Sequence, residues 1–319
     1  MKQTNLIIAL LVIALMGTIG FGALYLTRRN PVETITANIP VTVIKPKSPS
    51  FKFAFYGEGQ NKLKKPMAVA VGNGKIYVSD AELNKVLVFE LDGKFVNSFG
   101  QAGTKEGQFQ FPYGLAVDED GLLYVADRDN RRIQVFDATG KFLRVLAGPD
   151  RVGSAAGLYY RAGLLYVAEL QGRVSVFKLS GEKVLEIKPT GDQTLSFPNA
   201  VAVDKGGKIY VADSNNYRIS VFDPKGQFLS FFQGSTSADN NPFGLPRGIA
   251  ISNKDVVLVV AGMSHQVHGL SLAGEEYFRF GKMGTENNEF LFPNGIFVDS
   301  SGRVYVTDTQ NHGVKVYGY

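Results

Sequence analysis

Three histidines, His265, His268 and His312, and no cysteine set the limits on chemistry in this 319-residue chain. Without cysteine there is no disulfide, no Cys-ligated zinc, no iron–sulfur cluster, no thiol nucleophile and no lipidated cysteine anchor. Zinc held by histidine alone needs three or four ligands converging at about 2 Å. His265 and His268 are three apart and His312 lies far downstream, so no compact ligand motif exists. There is no Gly-rich phosphate loop with its lysine, and no Ser–His–acid set stands out from the many serines. Acid–base pairs do occur: Asp127 with Arg132, and Asp213 with Arg218, five residues apart. Their meaning depends on the elements that carry them.

Those elements repeat. Six segments share the pattern Ala/Gly-hydrophobic-x-Val-Asp-x-x-Gly-x-hydrophobic-Tyr-Val-x-Asp: 68–80, 114–127, 157–169, 200–213, 248–261 and 295–308. They close on Asp80, Asp127, Glu169, Asp213, Ala261 and Asp308, at intervals of 42 to 48 residues. Each unit continues with alternating Val/Ile/Phe runs broken by turns such as Asp92-Gly93, Thr139-Gly140 and Lys225-Gly226. Four short antiparallel strands per unit of about 45 residues is the signature of a β-propeller blade, and six units predict an all-β six-bladed propeller. The sixth unit ends one strand short at Tyr319. Residues 51–56 resemble a fourth strand and are expected to pair with 314–318, closing the ring and covering an edge. An acid–base pair present in most units solves a problem of the blade, so Asp127–Arg132 and its siblings are read as turn caps.

Functional residues should instead break the repeat. The residue before each strand-opening Gly or Ala is expected to ring the upper mouth of the central channel. By unit these are Met67, Tyr113, Ala156, Asn199, Arg247 and Asn294. Asn199, Arg247 and Asn294 form a polar side suited to a small polar ligand or a partner's side chain. His265 and His312 fall at the same register in neighbouring units, on the same face. The polar connections 101–109, 234–243 and 281–290 emerge there too, and loops on a rigid scaffold are common binding sites. No cofactor is expected. Calcium in the channel would suit Asn199 and Asn294, yet no carboxylate shares their ring.

The segments FPYGLAVDEDGLLYVADRDNRRIQVFDATGKF (111–142), FPNAVAVDKGGKIYVADSNNYRISVFDPKGQF (197–228) and FPNGIFVDSSGRVYVTDTQNHGVKVY (292–317) resemble the NHL-repeat family of six-bladed propellers. The last contains Asn311-His312, the step that gives the family its name. The third unit is shortened and the fifth lacks its Asp. The resemblance implies a propeller over nearly all of 51–319. It leaves the activity open, because such propellers serve as binding platforms, sensors and a few lyases. The family's amidating lyases hold zinc with histidines spread over several blades. Three histidines confined to units five and six do not reproduce that arrangement.

Ahead of the repeats, Leu6 to Leu26 is an uncharged apolar run, long enough as a helix to span roughly 32 Å. With Arg28-Arg29 directly behind it, the run reads as an uncleaved signal-anchor over 1–29, with the propeller exported; a cleaved signal peptide is the alternative. Four prolines over 30–50 predict an extended stalk. Residues 1–50 hold Lys2, Arg28, Arg29, Lys45 and Lys47 against Glu33; the rest of the chain carries 29 positive and 28 negative groups. A near-neutral body argues against a nucleic-acid partner. The expected function is a membrane-tethered, protein-binding scaffold in an envelope or membrane complex. A propeller-type lyase or hydrolase, or a small-ligand sensor using the channel mouth, is the alternative.

Overall fold

The structure, a computed structural model, describes residues 45–233 and 243–319. The apolar run, most of the Pro-containing segment, and 234–242 of the second loop lie outside the described residues. Among the described residues no helix is long and apolar enough to cross a membrane.

Six four-stranded antiparallel sheets form the six blades. Their inner strands are Pro66–Gly72, Pro112–Val117, Ala155–Arg161, Pro198–Val203, Pro246–Ile251 and Pro293–Val298. Each chain segment then runs outward, strand by strand, through hairpins. The last blade takes its outermost strand from the start of the propeller. Ser50–Phe55 pairs antiparallel with Gly313–Gly318, in the register Phe51 with Tyr317 and Phe55 with Val314. The expected closure is therefore present, beginning at Ser50. Residues 45–49 also lie against the body, since Lys45 Nζ is 2.7 Å from Glu275 Oε1 of the fifth blade.

The repeated pattern has a physical reading at each position. The Asp of Val-Asp caps the turn between strands one and two and holds the Tyr of the next strand. Asp118 accepts from Leu122 N and from Tyr124 OH at 2.8 Å; Asp204 and Asp299 do the same for Tyr210 and Tyr305. These tyrosines are fully buried between blades. The Gly or Ala opening each inner strand reflects close backbone approach. A Cβ on Gly114 would sit 2.1 Å from Ala156 O of the next blade, and one on Gly248 would sit 2.5 Å from Asn294 O. Apolar clusters fill the wedges between adjacent blades, with Tyr and Phe from strands two and three at their centres.

Candidate functional site

Where a blade keeps its closing acid, the acid is committed to structure. Asp127 is fully buried. It accepts from Gln110 N, Asn130 Nδ2, Arg132 Nε and Gln134 Nε2, all within 3.1 Å. Asp213 collects Ser196 N, Asn216, Arg218 and Ser220 likewise. Asp308 takes Leu291 N and Asn311, with Lys315 Nζ at 3.1 Å. Burial pushes the Asp127 and Asp308 carboxyls up, against the pull of these donors. The basic partners reach further and clasp the incoming loops. Arg132 donates to Lys105 O and Gln108 O, and Lys315 to Glu286 O and Glu289 O. Loops 101–109 and 281–290 thus share one conformation, each ending on a buried Phe, Phe109 or Phe290.

The six mouth residues do gather in one ring, through a shared local device. Every inner strand has a β-bulge at its start, and the mouth residue lies within it. A bulge re-aims a side chain away from the regular pleat. Tyr113, Asn199 and Asn294 come from blades two, four and six, three alternate blades around the axis. The Tyr113 hydroxyl lies 2.8 Å from Asn199 Oδ1 and 3.1 Å from Asn294 Oδ1. It therefore sits near the axis and shares one proton between two acceptors. The two amides are spent elsewhere: Asn199 Nδ2 donates to Ser214 Oγ and Asn294 Nδ2 to Met67 O. Met67, Tyr113, Asn199 and Asn294 are all buried, and Ala156 is fully so. Arg247 alone keeps partial exposure. The polar side foreseen for a ligand is thus bonded to a tyrosine from the opposite side, a crossing that spacing along the chain does not reveal.

His265 and His312 occupy left-handed turn positions, φ +57 and +56, shared with Asn84, Arg131 and Tyr217. His265 Nδ1 accepts from Phe292 N at 3.0 Å, as Asn84 Oδ1 accepts from Phe111 N. His312 Nδ1 contacts Lys64 O. Both histidines therefore obey the repeat. Burial lowers the His265 pKa, keeping the neutral ring that this accepting role requires. Among the described residues no three His, Asp or Glu side chains group as a metal site.

One feature of this face was missed. Phe111, Phe197 and Phe292, each directly before the Pro that starts an inner strand, hold φ of +58, +57 and +50. A bulky residue at positive φ is uncommon. Phe197 and Phe292 are exposed beside the mouth, while Phe111 is partly buried against the core. Phe111 lies under a guanidinium, with Arg128 Cζ 3.5 Å from its centroid. The thrice-repeated Phe-Pro step was the available signal.

A family described as 6-bladed beta-propeller matches residues 58–169, and the NHL repeat matches 195–222 and 290–317. The chain is a six-bladed propeller carrying NHL repeats. Two curated relatives share part of it. Protein brain tumor of Drosophila melanogaster is 28% identical over 122 residues, and the B-box type zinc finger protein ncl-1 of Caenorhabditis elegans is 31% identical over 123. Each match covers 38% of this chain but only 11% and 14% of those proteins. Among solved structures, the NHL propeller is similar to catalytically inactive virginiamycin B lyase from Staphylococcus aureus with quinupristin. That match has a TM-score of 0.60 at 18% identity, over 84% of this chain and 89% of the lyase. A protein of unknown function from Bacteroides thetaiotaomicron gives a TM-score of 0.65 at 16% identity, over 86% and 72%. At such identities the likeness is one of fold.

Proposed function

We propose that this chain is a membrane-tethered NHL propeller whose upper face docks a protein partner, the propeller standing on the exported side of an envelope or membrane. The observation that carries this reading is the outward apolar set on that face. Phe197 is 40% exposed, Phe292 47%, Met263 55% and Met283 67%. Aromatic and Met side chains are enriched at protein interfaces. Here they surround a mouth plugged by its own side chains, so the face offers a rigid platform with apolar anchors. The tether rests on the uncharged run 6–26.

The test is cross-linking mass spectrometry on the tagged full-length protein, extracted gently from its native membrane. Cross-links to one stoichiometric partner should concentrate on 101–109, 247, 281–290 and the exposed Phe and Met residues. Phe197→Asp and Phe292→Asp should each weaken association about 30-fold or more, the loss of an interface anchor worth about 2 kcal/mol. Leu143→Asp, at an exposed position on an outer strand, should leave it intact. Retained association in both upper-face variants overturns the docking face.

A further inference from the structure

The residues that break the repeat most sharply lie at the other end of the channel. At the lower end of the inner strands, blades two and four read Ala-Val-Asp (116–118 and 202–204). Blade three has Tyr159-Tyr160-Arg161 at that place, and blade six has Phe297 in the Ala position. The first substitution puts a cation where the repeat carries an acid.

These departures line a continuous space. The channel holds a cavity of about 230 Å³, walled by the inner strands and including Leu115, Val201, Ile249 and Ile296. A second cavity of about 220 Å³ lies below blades three to six. Tyr159, Ile251 and Val298 line both, so the two meet at that neck. The upper end is occupied by the Tyr113–Asn199–Asn294 junction on the axis. Access is therefore from below.

The charges at the lower mouth sort cleanly. Asp204 and Asp299 are consumed by their own turns and by Tyr210 and Tyr305. Lys205 is paired with Asp255, Nζ to Oδ1 at 3.2 Å, and donates to Asn253 O. Arg161 donates to Lys205 O at 3.3 Å and has no carboxylate in ion-pair range among the described residues. One guanidinium thus faces a mouth whose acids are already engaged.

We propose that this lower pocket binds a small carboxylate with an apolar arm, such as an aryl- or alkyl-carboxylate. Its arm enters the channel and its carboxylate meets Arg161. A cavity of about 150 Å³ suffices for benzene, so the upper chamber accommodates a phenyl ring with a short linker. The planar fork of Arg161 matches a carboxylate bidentately. This site is independent of the docking face above.

The test uses the full-length protein and a phenylpropionate bearing a diazirine on its ring, with adducts mapped by peptide mass spectrometry. Adducts should fall on 155–161, 246–251 and 293–298. Excess phenylpropionate should block them, and phenylpropylamine should not. Arg161→Gln should reduce labelling about tenfold or more. Ile251→Phe should abolish it by filling the neck while the thermal transition stays intact. Adducts centred on 111–113, adducts scattered over the blade exteriors, or equal blocking by the amine would each overturn the proposal. The competition pair needs no variant, so it decides the matter even if a substitution impairs folding.

Discussion

Blades two and five solve one problem with opposite wiring. In blade two the acid comes from the second strand, where Asp127 gathers a backbone amide, Asn130, Arg132 and Gln134. In blade five that position is Ala261, fully buried. The turn there closes by backbone bonds, Gly262 N to Leu245 O and Met263 N to Gly244 O, with the Ser264 hydroxyl donating to Ala261 O at 3.4 Å. His268 stands where Gln134 stands in blade two, and its acid arrives from the outermost strand, Glu276 Oε2 at 3.2 Å from Nδ1. Burial pushes the Glu276 carboxyl up, and Arg279 and His268 more than offset it, leaving its pKa lowered. The contrast teaches that the repeated Asp is one way to satisfy a turn and a clasp, not a requirement of the blade.

The sharpest way to break the comparison is to remove the acid where it is used. Asp127→Ala should cost about 3–5 kcal/mol in chemical denaturation, because Arg132 and three other donors lose their shared partner. A loss below 1 kcal/mol would make blade two as indifferent to its acid as blade five. The reverse substitution comes next. Ala261→Asp should destabilise by about 3 kcal/mol, since it buries a carboxylate where no basic residue waits at 266. A stabilised variant would show that blade five is merely a damaged copy. Tyr113→Phe should cost about 1–2 kcal/mol by leaving two Asn acceptors unsatisfied at the axis. Tyr160→Phe, which loses only an exposed bond from Gly163 N, serves as its milder comparison.

The smallest effect concerns pH. The His265 pKa is lowered in the fold, so the unfolded chain binds more protons below the ordinary histidine value of about 6.5. The contribution of this site is whole above that value and is lost as pH falls through the lowered one. His265→Asn keeps an acceptor for Phe292 N, as Asn84 does for Phe111 N. It should flatten that part of the stability–pH curve while leaving the neutral-pH stability nearly unchanged. An unaltered slope would assign the pH dependence to another group.

Much of this architecture was legible because each blade position has a local cause. Period-two alternation, Gly turns and the Asp–Tyr pair across six residues all sit close in the chain, and the missing last strand pointed to its replacement. Register along the chain locates the six mouth residues, but the chemistry among them is not visible there. Tyr113 reaches Asn199 and Asn294 only because bulges aim three alternate blades at one point. The Phe-Pro steps carry the family likeness, and the positive φ at Phe197 and Phe292 accompanies exposed surface that the likeness alone does not reveal. Arg161 belongs to no motif; its one signal is a reversed charge at the position where blades two, four and six keep Asp.

The ring closure also sets how the propeller meets time and force. Ser50 and Gly318 are partners 268 residues apart, so the seal forms only after every blade has been synthesised. Until then the sixth blade has a bare edge. Because the two strands are antiparallel, Ser50 and Gly318 sit at the same end of the seam. A pull on the two termini opens the seam like a zipper, one bond at a time, instead of shearing all at once. The strongest-looking joint in the ring is therefore its mechanical fuse.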